Sequence, residues 1–218
     1  MKKTLIVMLI TMFAFVGKAY SEMSYGVSLA VTEINASGNE VEGGETTTAD
    51  VDNTVAVPSI FVEYAYSDQI SVGLDYIPVS ADVTKNTKTR KDTETSVSGT
   101  AAATSTARTQ QAQAEIENHT TLYVNYGLTD SIYLKGGVAF VTLNTLESLG
   151  TGSKYGNADI YGGVIGLGAK SDNHRFELVY TDYEDISLTS SVARTDVSPN
   201  NKIEADLDTV AFKYSYAF

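Results

Sequence analysis

Cysteine and tryptophan are absent from this 218-residue chain, proline occurs only 3 times and histidine only twice. With no Cys there is no disulfide framework and no thiolate nucleophile, although a large exported barrel needs no disulfides and the redox compartment stays open. Basic residues are scarce, 15 Lys+Arg against 27 Asp+Glu, for a formal charge of −12. Affinity for a phosphate backbone comes from Lys and Arg displacing counterions, so nucleic acid is excluded as the expected partner. None of the Gly/Pro, Cys or charge biases of collagen-like, disulfide-stapled or disordered chains is present. After residue 16 no apolar run approaches the roughly 20 residues of a spanning helix.

What is there begins with Lys2 and Lys3, an apolar run from Leu5 to Val16 broken only by Thr11, and the small residues Gly17, Ala19 and Ser21. That is the pattern of a secretory signal peptide, the alternative being an N-terminal anchor shorter than a spanning helix requires. Cleavage after Ser21, or after Ala19, divides the chain into a signal peptide over 1–21 and a second unit over 22–218. Removing Lys2, Lys3 and Lys18 would leave 12 basic residues against 27 acidic ones.

From there on the period is two, and helical periodicity is nowhere sustained. Val210, Phe212, Tyr214, Tyr216 and Phe218 alternate with Ala211, Lys213, Ser215 and Ala217. Seven further segments repeat the pattern, with apolar positions Tyr25–Val31, Ile60–Tyr66, Ile70–Tyr76, Leu122–Leu128, Ile132–Phe140, Tyr161–Leu167 and Phe176–Tyr180. Eight strands are expected, each of about 9–11 residues if they cross a bilayer.

Alternation alone does not choose the solvent, since a soluble sandwich or lipocalin-like barrel alternates with its apolar face inward. The connections decide. Polar turns at Ser67-Asp68-Gln69, Thr129-Asp130-Ser131 and Ser171-Asp172-Asn173 alternate with longer connections near 36–53, 81–115, 145–157 and 188–201. Short turns at one rim and long loops at the other predict an all-β fold: an eight-stranded antiparallel up-and-down transmembrane β-barrel with periplasmic turns and extracellular loops. Aromatic rings collect where lipid meets water. On this topology Tyr25, Tyr66, Tyr126, Tyr216 and Phe218 form a periplasmic girdle, and Tyr76, Phe140, Tyr161 and Tyr180 an outer one.

The terminal Phe212-Lys213-Tyr214-Ser215-Tyr216-Ala217-Phe218 and the strand Arg175–Tyr183 carry a resemblance to the small eight-stranded outer-membrane barrels, the OmpA-like and opacity-type proteins grouped as porin-family. The resemblance covers the chain after the signal peptide. It implies the outer membrane of a Gram-negative-type bacterium, a monomer, lipid and lipopolysaccharide as neighbours, and an assembly signal at Phe212, Tyr214, Tyr216 and Phe218 for the outer-membrane assembly machinery. The signal usually has Gly where this chain has Lys213.

If the apolar face meets lipid, Glu63, Asp75, Lys135, Arg175, Glu177 and Lys213 face inward, three acids with three bases. An eight-stranded lumen is just wide enough for its own side chains, so these charges are expected to pair as a plug. The small inward residues Gly26, Gly73 and Gly168 argue for some free volume and a narrow wet path. Catalysis has little to work with: His119 belongs near the outer end of a strand and His174 beside a periplasmic turn, and no nucleophile–base set gathers at one rim. No enzyme activity, cofactor or metal is expected. Glu40, Glu42, Glu45, Asp50 and Asp52 make an acidic loop surface. Lys85, Lys88, Arg90 and Lys91 lie in a low-complexity run expected to be a variable surface loop, the alternative being contact with lipopolysaccharide head groups, and parts of Thr104–Glu117 are expected to extend the strands beyond the bilayer. The function expected is a structural and surface-interaction role with low-conductance, narrow-pore permeability; the alternatives are a porin-like channel for a small solute and an adhesin acting through the loops.

Overall fold

The computed structural model describes residues 23–42, 45–84, 88–96, 104–146, 155–190 and 202–218, without side chains at 42, 45, 88–96 and 104–112. The segment 1–21, expected to be a signal peptide, and Lys85 lie outside the described residues. So do the side chains of Glu42, Glu45, Lys88, Arg90 and Lys91.

The strands are β1 (Met23–Glu42), β2 (Glu45–Ala65), β3 (Ile70–Tyr76), β4 (Ala81–Asp82), β5 (Lys88–Ser96), β6 (Thr104–Ala112), β7 (Ala114–Gly127), β8 (Ile132–Thr145), β9 (Asn157–Ser171), β10 (His174–Tyr183), β11 (Ile186–Thr189) and β12 (Lys202–Ala217). The order β1-β2-β3-β7-β8-β9-β10-β12, with β12 paired back to β1, closes an antiparallel eight-stranded barrel. Two of the eight are interrupted: β4 resumes the line of β3 along β7, and β11 that of β10 along β12. The seam is held from Gly26↔Ala217 to Val41↔Lys202, and the Phe218 amide donates to the Tyr25 carbonyl.

The tight turns sit where the polar triplets are. Ser67 Oγ accepts from the amides of Gln69 and Ile70, and Thr129 Oγ1 from those of Ser131 and Ile132, so a side chain supplies the acceptor each turn needs. Asp172 takes a φ of 51°, a left-handed turn conformation that Asp tolerates.

Within the lower two-thirds of each strand the barrel is inside out. Leu29, Ile165, Leu178 and Phe212 are 54%, 63%, 56% and 56% exposed on the outer wall, while Lys135 and Glu177 are 7% and 4% exposed in the lumen. Such an exterior is stable only against hydrocarbon.

Two expectations about the connections need correction. Residues 36–53 are not a loop: β1 and β2 continue in unbroken register from Met23↔Tyr64 to Glu42↔Glu45. Thr104–Ala112 does not extend the barrel either, because it pairs with Lys88–Ser96 as a separate hairpin; only Ala114–Glu117 continues β7. The reason for the longer strands is a change of phase. Above the outer aromatics the inward positions become apolar (Ile34, Ala36, Val51, Val55, Ile116, Leu143, Ile160, Leu207) and the outward ones polar (Glu33, Asp52, Asp159, Asp208). The sheet therefore leaves the bilayer and continues as an ordinary soluble barrel, with a core of its own to bury.

Candidate functional site

The floor of the site is the charged layer. Lys135 Nζ lies 2.6 Å from Glu177 Oε1, Arg175 Nη1 2.7 Å from Glu63 Oε2, and Lys213 Nζ 2.5 Å from Asp75 Oδ2. None of the three pairs joins neighbouring strands: they tie β8 to β10, β10 to β2 and β12 to β3, across the lumen. All six expected lumen residues thus come together in one layer. Further donors reach the same oxygens: Tyr133 Oη donates to Glu177 at 2.7 Å, Tyr123 Oη and Asn125 Nδ2 to Glu63 at 3.1 and 2.9 Å, and Ser59 Oγ to Asp75 at 3.1 Å. Lys135 Nζ also stands 4.1 Å from the centre of the Tyr123 ring. Paired and hydrogen-bonded charges of this kind are what a low-dielectric interior tolerates.

The inward glycines do not leave the free volume expected of them. Gly26, Gly73 and Gly168 lie opposite Phe61, Tyr123 and Tyr133 on the adjoining strands. A Cβ on Gly73 or Gly168 would fall 2.2 Å from the Cζ of Tyr123 or Tyr133, so each glycine is the bed on which an aromatic ring lies across the next strand. The rings fill the space, and the layer is a plug. Below it a polar vestibule lined by Asn125, Lys170 and Arg175 opens at the short-turn rim.

Above the floor lies a chamber with a cavity volume of about 90 Å³. Its walls are apolar: Ile34, Val55, Val57, Ile116, Val164 and Val179. Where walls meet floor there is a collar of hydroxyls from Thr121, Thr181 and Thr209, the last two paired across β10 and β12. His119 is aimed into this level by a bulge. Between Glu117 and Thr120 the β7–β8 register shifts, Asn118 takes a φ of 54°, and the extra residues let His119 face inward. Its Nε2 lies 3.3 Å from Tyr183 Oη, a strut from β7 to β10 just above the outer aromatics. Burial, with Lys213 assisting against Asp75, pushes the imidazole down to about 4. Burial pushes the Tyr183 hydroxyl up.

The chamber wall has a break. β2 pairs with β3 only from Ala65↔Ser71 to Ile60↔Tyr76. Beyond that, residues 77–83 follow β7 instead: the Ile77 amide donates to the His119 carbonyl and the Val83 amide to that of Ala114. β2 meets this segment again where Asn53 Nδ2 donates to the Asp82 carbonyl at 2.7 Å. Between the Ile60–Tyr76 pair and the Asn53–Asp82 bond, roughly 20 Å along the strand, lies a stretch without ladder pairing, a window in the hydrogen-bond network, flanked by Val55, Val57, Ile77, Val79 and Ala81, which also line the chamber. Two of the 3 prolines flank it, Pro58 and Pro78, and a residue without an N–H cannot complete a ladder. On the outside its lower half adjoins the lipid-facing Leu29 and Val31, paired to Pro58 and Ala56.

The expected girdle residues stand on the outer wall. Tyr25 and Phe218 stack at 5.6 Å, Tyr216 packs edge-on to Phe218, and Tyr66 and Tyr126 are exposed at the same rim. At the other level Phe140 meets Tyr161 edge-on at 6.4 Å, with Tyr76 and Tyr180 exposed. Phe212, Tyr214, Tyr216 and Phe218, the expected assembly signal, form one outward row on β12. His174 Nδ1 lies 2.8 Å from Tyr214 Oη on that outer wall, so the two histidines are kept apart, one in the chamber and one at the opposite rim. Chamber and window were not foreseen. Their sequence signals were the phase change at Glu33-Ile34 and Asp206-Leu207-Asp208, and two prolines beside strand-patterned segments.

No family model and no curated relative matches the sequence. Solved structures do. The outer membrane protein OprG from Pseudomonas aeruginosa is 12% identical over 92% of this chain and 98% of its own, with a TM-score of 0.52. The outer membrane protein AlkL, in lipid bilayers, is 14% identical over 93% of each chain, also at 0.52. The outer membrane protease OmpT from Escherichia coli is 12% identical over 92% of this chain and 99% of its own, at 0.42. The fold is that of the small eight-stranded outer-membrane β-barrels; structural neighbours of this fold are Gram-negative outer-membrane proteins, and the exposed apolar wall fits that location.

Proposed function

We propose that the protein is a non-enzymatic passage for small, mainly apolar molecules, from the cell exterior through the chamber and out through the window into the outer leaflet. The observation that carries this is the combination of an apolar chamber with a wall break at lipid level and a charged floor beneath. An apolar solute gains by leaving water for the chamber, meets a plug whose opening would expose unpaired charges, and finds hydrocarbon sideways. The same plug argues against a steady ionic conductance. Against catalysis, His119 has Tyr183 as its hydrogen-bond partner and His174 has Tyr214, and neither arrangement contains an acid that would orient a base.

The test is uptake of a lipid-soluble dye or alkane by cells producing the protein, compared with variants that fill the window, Ala81→Trp and Val57→Trp. Uptake is expected to fall at least fivefold while heat-modifiable migration on a gel shows an intact barrel. Equal uptake in folded variants defeats the proposal. A stable solute-selective conductance in planar bilayers would favour the porin-like alternative.

A further inference from the structure

The walls of the chamber accept any apolar molecule, but its lower end is not indifferent. Thr181 and Thr209 sit side by side on β10 and β12, both buried, with Thr121 on β7 and the His119–Tyr183 strut completing the level; the Thr209 hydroxyl is itself hydrogen-bonded to that of Tyr183. Each hydroxyl both donates and accepts. Beneath them the lumen charges cancel, with three carboxylates closed by three bases, and Asp75 stands among the groups that line the chamber beside Lys213. No unpaired base in this layer waits for an anion. The outward face at this level carries Glu33, Asp182 and Asp208, in a chain of formal charge −12, so the surrounding field disfavours an anionic solute.

We infer that the chamber is a binding site for neutral amphiphiles, molecules with an apolar body and one uncharged hydrogen-bonding end such as an alcohol, ketone or phenol, held end-down on the Thr121–Thr181–Thr209 collar. The inference rests on the passage proposed above and adds to it a substrate class and an orientation. A hydrocarbon without a polar end gains the walls only. A carboxylate of equal length loses its hydration over a floor whose bases are already taken. One polar end satisfied by the collar is worth roughly three- to tenfold in affinity, the range of a single neutral hydrogen bond.

The experiment is nuclear magnetic resonance of the isotopically labelled, refolded protein in lipid nanodiscs, titrated with octane, 1-octanol and octanoate at matched mole fraction in the lipid. Octanol is expected to shift the signals of Thr181, Thr209 and His119 saturably, octane those of the wall residues Val57 and Val164 only, and octanoate to bind at least threefold more weakly than octanol. Thr181→Val, equal in shape but without the hydroxyl, is expected to weaken octanol binding three- to tenfold and leave octane unchanged; the octane response also reports that the variant is folded, and Thr209→Val serves if it is not. Octane and octanol moving the same wall signals with equal affinity, or octanoate binding as tightly as octanol, would overturn the inference and leave the passage standing. Silence of the chamber signals with all three ligands would overturn both.

Discussion

Lys135 and Glu177 allow the plug to be weighed. Their side chains are 7% and 4% exposed and 2.6 Å apart, with Tyr133 as the only other hydrogen-bond donor to that Glu177 oxygen shown by the geometry. Lys135→Met keeps nearly the same volume but leaves a desolvated carboxylate facing the Tyr133 hydroxyl, with only its cross-strand neighbour Lys213, already engaged by Asp75, as a nearby cation. Breaking a buried pair in this way costs about 3–5 kcal/mol, because the surviving charge has lost both water and partner. Glu177→Gln in the Lys135→Met background removes that charge and lets Tyr133 donate to a neutral oxygen, so the double variant is expected to lie within about 1–2 kcal/mol of the parent. The assay is equilibrium urea unfolding in lipid vesicles, read by the shift of heat-modifiable migration, with the exposed Lys170→Met as a control expected within about 0.5 kcal/mol. A strongly non-additive cycle is the signature. If the double variant is as unstable as the sum of its singles, the pair is not the energetic unit proposed and the plug argument fails.

Two further outcomes test the packing and the chamber. Gly168→Val would drive side-chain atoms into the Tyr133 ring, 2.2 Å from the first added carbon, and is expected to cost about 1–3 kcal/mol of overpacking in the same unfolding assay; an unchanged midpoint would show that the ring is free to move aside. His119 is held neutral by burial, its value lowered from 6.5 to about 4. A depressed value favours the neutral folded form, so this contribution is complete above 6.5 and is lost as pH falls from 6.5 toward 4. His119→Gln should therefore show a smaller loss of stability between pH 7 and pH 4 than the parent; equal losses would mean that Asp75, Lys213 and the other facing groups account for it.

Much of the barrel was legible because a strand has a period of two and cannot conceal it. The segment ending in Phe218 identifies its own faces, and once Phe212 and Leu178 are assigned to lipid, Lys213 and Glu177 have nowhere to go but the lumen. The polar triplets at Ser67 and Thr129 mark turns because their side chains bond locally to the backbone, and the one at Ser171 because Asp172 tolerates a left-handed conformation. The connections were less legible. Residues 36–53 lack the apolar-out pattern of the membrane segments, yet Ile34, Val51 and Val55 still alternate, with the greasy side now inward. A change of phase resembles the end of a strand when only one solvent is considered.

Sequence alone determined which residues share a wall, because side-chain direction along a strand follows from chain geometry and nothing else. It also determined that three acids and three bases must meet somewhere. Which acid meets which base was decided by the tertiary structure, since the partners lie on non-adjacent strands and depend on stagger around the closed sheet. The same holds for the window: two prolines permit a gap in the ladder, but only the route of residues 77–83 along β7 leaves that length of β2 without a strand partner on this side.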